Sequence, residues 1–174
     1  TATIVKQVEE LKNLVNEFSS FARLPAANPQ PSDLNALVEE GLFLFQEAHK
    51  NIQFLFQPGE GVPPVNLDRE QIKRVLINLL DNAVAAIDGA EGLVEIVTGH
   101  DPALQVARLE VADNGVGIRP EDRGRLFEPY FSTKRTGTGL GLAIVSKIVA
   151  DHNGYIRVRD NDPRGTRFVI ELPL

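Results

Sequence analysis

Asn78 and Asn82, in the segment Asn78-Leu79-Leu80-Asp81-Asn82-Ala83, are the first residues of this chain whose type and spacing could do chemistry. On a helix that spacing puts both amides on one face. Neutral oxygens there can complete the shell of a hard cation already bound to phosphates, a partial cage that suits Mg2+. Farther along, Asp113 opens the turn Asp113-Asn114-Gly115-Val116-Gly117. Gly115 and Gly117 let the backbone turn sharply and approach a flat ligand, and the Asp113 carboxylate can accept a hydrogen bond from the exocyclic amine of adenine. A second glycine cluster follows, Thr136-Gly137-Thr138-Gly139-Leu140-Gly141-Leu142. It leads into a helix from Leu140, whose unpaired amides and positive dipole end suit anionic phosphate. Its spacing is not the Gly-x-Gly-x-x-Gly of dinucleotide folds, and no Gly-Lys-Ser/Thr follows as in a P-loop. Taken singly, each motif has a plainer reading: solvated asparagines, a strand-ending Asp-Asn-Gly turn, a helix start. Together they supply a cation cage, an adenine acceptor and a phosphate lid, which is a site for Mg2+ and ATP or ADP. Arg74, one turn before Asn78, and Lys134 and Arg135, beside the lid, either reach phosphate or remain solvated surface charge; Lys134 joins Asn78 as a candidate catalytic residue.

These groups need elements to carry them. Ile4, Val8, Leu11, Val15, Phe18 and Ala22 recur every three or four residues, which predicts a helix over residues 1–24 with a narrow apolar seam that wants partner helices. Three prolines in residues 25–31 stop that helix and make a stiff connector, so a domain boundary is expected there. Ser32 or Asp33 can cap a helix to about His49, and residues 52–56 alternate as a strand. Asp68 with Gln71 resembles a capping box. It opens the central helix, with Ile72, Val75, Leu76, Leu79, Leu80, Ala83 and Ala86 as its apolar face up to Ile87. Residues 92–99 and 104–112 read as an antiparallel hairpin turning at 100–103. Residues 120–127 read as a short helix, 128–138 as irregular chain, and 140–152 as a helix stopped by Asn153-Gly154. Strands follow near 155–160 and 166–172. This order, without βαβ alternation, predicts an α+β fold: two layers, with helices over a mixed, largely antiparallel sheet. Phe127, Tyr130 and Phe131 either belong to the core or anchor the base of the lid.

Composition narrows the function. A chain of 174 residues can bury one core, about 70% of its unfolded surface. A net charge of -6 offers no basic field, so neither nucleic acid nor an anionic membrane surface is an expected partner. The absence of Cys excludes disulfides, a thiolate nucleophile and Cys-ligated metal. No apolar run approaches the roughly 20 residues of a membrane span. His49, His100 and His152 lack metal-ligand spacing and are expected to be structural or exposed. Met is absent, so the chain is expected to be a fragment of a longer protein.

The motifs Asn78-x-x-x-Asn82, Asp113-x-Gly115-x-Gly117, Phe127 to Phe131, Gly137-x-Gly139-x-Gly141 and Gly165-Thr166-x-Phe168 resemble the N, G1, F, G2 and G3 boxes of sensor histidine kinases. These share the Bergerat ATP-binding fold with gyrase, Hsp90 and MutL. The segments 18–25 and 131–135 are similar to the nitrogen-regulation, NtrY-type subgroup. The resemblance implies that Asn78 and Asn82 carry Mg2+ and that Asp113 binds the adenine amine. It implies that Gly137, Thr138, Gly139, Leu140 and Gly141 close over phosphate, and that Thr166 supports the adenine pocket. It also implies γ-phosphoryl transfer from ATP to a histidine, a response-regulator receiver domain as partner, homodimerisation of the intact parent, and a cytoplasmic location, with membrane anchoring of the parent left open. Hydrolytic relatives place a general-base Glu where this chain has Asn78, and an amide cannot take a proton from water. Rapid hydrolysis is therefore disfavoured. A nucleotide-sensing module without transfer and an ATPase of the same fold are the alternatives.

Two departures matter. No His-acidic-x-x-x-Pro phosphoacceptor box is present, and Ala85 stands where many relatives carry a basic residue. Residues 1–24 are accordingly expected to be the second helix of a dimerisation and phosphotransfer hairpin, 25–31 a linker, and 32–174 the catalytic domain. Autophosphorylation of this chain alone is not expected.

Overall fold

The computed structural model describes residues 2–89, 91–133 and 137–174. Helix α1 spans Ala2–Ala22; then come β1 (Gln30–Ser32), α2 (Leu34–Ala48), β2 (Ile52–Gln57), β3 (Val65–Leu67) and α3 (Arg69–Ala86). Strands β4 (Gly92–Asp101) and β5 (Val106–Asp113) follow, then a 3-10 helix (Pro120–Arg125), α4 (Gly141–Asp151), β6 (Tyr155–Asp160) and β7 (Thr166–Pro173). Five strands form one sheet in the order β2-β4-β5-β7-β6, while β1 and β3 pair separately. Only β2 and β4 run parallel; the other pairs in the sheet are antiparallel.

One face of the sheet is packed. Period-two alternation sends Val94, Ile96, Leu109, Val111, Phe168 and Ile170 inward, where α2, α3 and α4 cover them. Helix α3 is the keystone: Ile72, Val75, Leu76, Leu79, Leu80 and Ala83 are all buried, the face its spacing predicts, each contributing roughly 1.5–3 kcal/mol if large and aliphatic. Asp68 caps it by accepting from the Gln71 amide at 3.1 Å. His152, at the end of α4, closes the same corner. The Asp68 amide donates to its Nε2 at 2.9 Å, so Nδ1 carries the proton and donates to the Ile148 carbonyl at 2.8 Å. This histidine is structural, as expected.

Several boundaries differ from the sequence reading. The β1/β3 pair was not anticipated, because three residues are too few for alternation to register; β1 begins within the proline-rich segment, and its register sets Pro31 opposite Asn66. The β4/β5 hairpin turns at 102–105 instead of 100–103. Asp101 Oδ1 accepts from the Ala103 and Leu104 amides, an Asx turn that moves Leu104 from strand to exposed tip. Residues 120–125 are 3-10 helix, tighter than the helix expected over 120–127. A single crossover through α3 joins parallel β2 and β4, which is what makes the sheet mixed.

Among the described residues, helix α1 leans on this body through its last turns. Phe21 and Leu24 pack against the core, whereas Ile4, Val8, Leu11 and Val15 remain 53% to 64% exposed. The proline-rich segment 25–31 is tied to the start of α3 twice: the Asn28 amide donates to Asp68 Oδ2 at 3.0 Å, and Gln71 Nε2 donates to the Pro25 carbonyl at 2.9 Å.

Candidate functional site

The inner face of α3 organises the candidate site. Asn78 is half-buried, and its Nδ2 donates to the Arg74 carbonyl at 2.9 Å. That bond turns Oδ1 toward the start of α4, where a Cβ added to Gly141 would lie 2.9 Å from it. Asn82, also half-buried, follows one turn later. One more turn on, the Ala86 carbonyl accepts from the Val116 amide at 2.9 Å, so the turn after Asp113 rests on the end of the same helix. Arg74 is half-buried one turn before Asn78.

Asp113 is 4% exposed and Thr166 is 4% exposed. Asp113 Oδ1 accepts from the Gly115 amide at 2.8 Å and from the Thr166 amide at 3.4 Å, so β5 and β7 together aim this carboxylate. Gly165 makes the approach possible: its φ is +112°, and a Cβ there would come within 1.9 Å of the Asp113 carbonyl oxygen, which no side chain survives. Gly117 lies against Gly165 on the other side of the turn. Asn114 faces away and staples the start of β4, accepting from the Leu93 amide and donating to the Glu91 carbonyl, both at 2.8 Å.

The second glycine cluster folds onto the aromatic segment. Gly139 has φ +72°, and its missing Cβ would lie 2.5 Å from the Tyr130 carbonyl carbon; its own carbonyl accepts from the Tyr130 amide at 2.9 Å. Leu140 is fully buried and precedes α4, which no side chain caps. The first amides of α4 therefore retain their capacity for an anionic ligand. Gly137 is exposed, and the Thr138 hydroxyl hydrogen bonds to Glu17 of α1. The Phe18 and Tyr130 rings stack at 6.5 Å, and the Arg125 guanidinium sits 4.6 Å above Phe131. Lys134 and Arg135, together with Thr136, lie outside the described residues.

Thus α3 touches both glycine segments, through Asn78 at Gly141 and Ala86 at the turn of Gly115, and Thr166 meets Asp113 beside that turn. Their chemistry fits Mg-nucleotide. No group of three or more His, Cys, Asp or Glu side chains suited to a metal occurs among the described residues; Asn78 and Asn82 offer neutral amide oxygens. Such donors fit an ion whose remaining ligands are phosphate and water. Glu17 and Asn161 were missed by sequence reasoning. Glu17 is only one of several acidic residues on a polar helix face, and the Asn161 contact, described below, links segments 48 residues apart.

Known proteins extend these observations. The family described as histidine kinase-, DNA gyrase B-, and HSP90-like ATPase matches residues 67–174. The chain is 37% identical over 99% of its length to the signal transduction histidine-protein kinase AtoS of Escherichia coli, and 35% identical over its full length to the nitrogen regulation protein NtrY of Azorhizobium caulinodans. It spans only 28% and 23% of these two relatives. Among solved structures, full-length ShkA in complex with AMPPNP superposes with TM-score 0.83 at 30% identity, covering 98% of this chain and 37% of that one. Histidine kinase ThkA in complex with the response regulator TrrA superposes with TM-score 0.81 at 29% identity, covering 98% and 49%. On the match over residues 67–174, the chain belongs to the histidine kinase-, DNA gyrase B- and HSP90-like ATPase family.

Proposed function

We propose that this chain is the ATP-binding catalytic part of a two-component sensor histidine kinase, passing the γ-phosphoryl group of ATP to a histidine outside these residues. The observation that carries the reading is the convergence of motifs on α3: Asn78 Oδ1 faces Gly141, and the Ala86 carbonyl holds the Asp113 turn. In this reading Asp113 accepts from the adenine amine, with Thr166 beside it. The amides at the start of α4 and the glycines 137, 139 and 141 close over phosphate. Asn78 and Asn82 hold Mg2+, which neutralises phosphate charge when bound. Lys134 supplies a further cation to the transferring group.

Transfer would form a phosphorus–nitrogen bond to imidazole as the bond to the ADP oxygen breaks. Positioning and charge neutralisation would supply most of the rate. Asn78 argues against hydrolysis as the main outcome, since its amide has no basic oxygen for a water proton. The exposed seam of α1 supports its assignment as the second helix of a hairpin that pairs into a four-helix bundle in a homodimeric parent, with residues 25–31 as linker and 32–174 as catalytic domain. The ThkA–TrrA complex supports a receiver domain as the downstream partner. No described helix is long and apolar enough to cross a membrane.

Labelled ATP mixed with this chain and a separate histidine-bearing hairpin tests the proposal. Acid-labile label on the hairpin is expected. Binding of ATP without any transfer would leave only a sensing module, and steady catalytic phosphate release over many turnovers would overturn the kinase reading.

A further inference from the structure

The turn between β6 and β7 reaches the adenine side of the site, and Asn161, at its start, belongs to none of the site's motifs. Asn161 Nδ2 donates to the Asp113 backbone carbonyl at 2.9 Å, while the Asn161 amide donates to the Gly165 carbonyl at 3.0 Å. Its Oδ1 accepts from Arg167 Nη2 at 3.2 Å, and Arg167 Nη1 donates to Glu110 Oε2 at 2.8 Å on the face of the sheet away from the helices. Arg167 and Glu110 thereby orient the amide, and the amide holds the main chain from which the Asp113 carboxylate projects. The next residue after Gly165, Thr166, donates to that carboxylate. Asp113 is therefore gripped at its carbonyl by the turn and at its side chain by the first residue of β7.

From this we infer that Asn161 is a positioning residue for adenine recognition, setting the direction of Asp113 through its carbonyl and linking it to the Arg167–Glu110 pair. The inference rests on the reading of Asp113 as the adenine acceptor. An amide that only stabilised its turn would alter melting, not base discrimination. A mis-aimed carboxylate loses the exocyclic amine specifically, so affinity for ADP should fall while affinity for IDP, which lacks that amine, should hardly change.

Calorimetry on the full chain with Mg-ADP and Mg-IDP tests this, with circular dichroism confirming the fold of each variant. Asn161→Ala should weaken ADP about 3- to 10-fold, the range of one neutral hydrogen bond, and shrink the ADP-to-IDP ratio by a similar factor. In an Asp113→Asn background the same change should cost less than about 2-fold, because the two residues act through one contact. Asn161→Asp, which keeps the side-chain shape and the Arg167 partner but removes the donor, carries the same comparison if Asn161→Ala does not fold. Unchanged ADP affinity in a folded variant, equal losses for ADP and IDP, or full additivity with Asp113→Asn would each overturn the inference. Asp113→Asn binding ADP like the parent chain would overturn the reading of the site itself, and this inference with it.

Discussion

In the proposed reading, Asp113 concentrates the nucleotide chemistry in one carboxylate. It is almost wholly buried, takes amides from Gly115 and Thr166, and sits under a glycine that no other residue can replace. Asp113→Asn changes one atom and leaves the shape intact, yet it exchanges a charged acceptor for an amide. Loss of a hydrogen bond to a charged group costs about 1.5–3 kcal/mol, so Mg-ADP affinity should drop roughly 10- to 150-fold by calorimetry. Binding should also require Mg2+; affinity unchanged by a chelator would contradict the role given to Asn78 and Asn82. Gly139 poses a different constraint. With φ +72° and a would-be Cβ 2.5 Å from Tyr130 main chain, Gly139→Ala should detach the glycine segment from the aromatic one and weaken ATP binding. Its effect on thermal stability should be small, since Gly139 is not part of the core; a variant binding ATP like the parent would refute this.

At the scale of elements, α3 depends on the residue that caps it. Asp68 caps the helix, accepts from the Asn28 amide, and gives its own amide to His152. Burial alone would raise its pKa, but the amides of Asn28, Gln71 and Glu70 outweigh that and hold it below the usual carboxylate range. A depressed folded pKa means that the carboxylate contributes stability above the unfolded pKa, near 3.9, and loses it as pH falls through the lower folded value. Asp68→Ala should therefore cost about 0.5–2 kcal/mol near neutrality. Asp68→Asn should retain much of the cap while flattening the decline in stability below about pH 5. Urea melts across pH 3 to 7 read both effects, and an equally steep acid decline in Asp68→Asn would refute the assignment.

For the whole molecule, one core serves both stability and function. Leu76 is fully buried and packs directly on Gly41 of α2, so α2, α3 and the sheet lose contacts together when it is shortened. Leu76→Ala should cost about 2–5 kcal/mol and lower a single cooperative transition; a two-step melt would show that α3 is not integrated with the rest. Among the described residues, helix α1 meets this body through its last turns against the core and through Glu17 and Phe18 against Thr138 and Tyr130. Its exposed seam is the face it would present to partner helices.

Much of this was legible in the letters because it is local. The amide pair on one face of a helix, the capping aspartates, the apolar stripe of α3 and the glycine clusters each follow from spacing within a few residues, where backbone geometry and side-chain period leave little choice. Hydrophobic alternation likewise announced the layered α+β fold. What had to wait for the tertiary structure were contacts whose partners are far apart in the chain: Gly165 under Asp113, Asn161 on its carbonyl, Gly141 against Asn78, Thr138 against Glu17, and the short β1/β3 pair. A lone asparagine or glutamate carries no periodic signal, and its role depends on which distant backbone group the packed core brings within hydrogen-bonding reach.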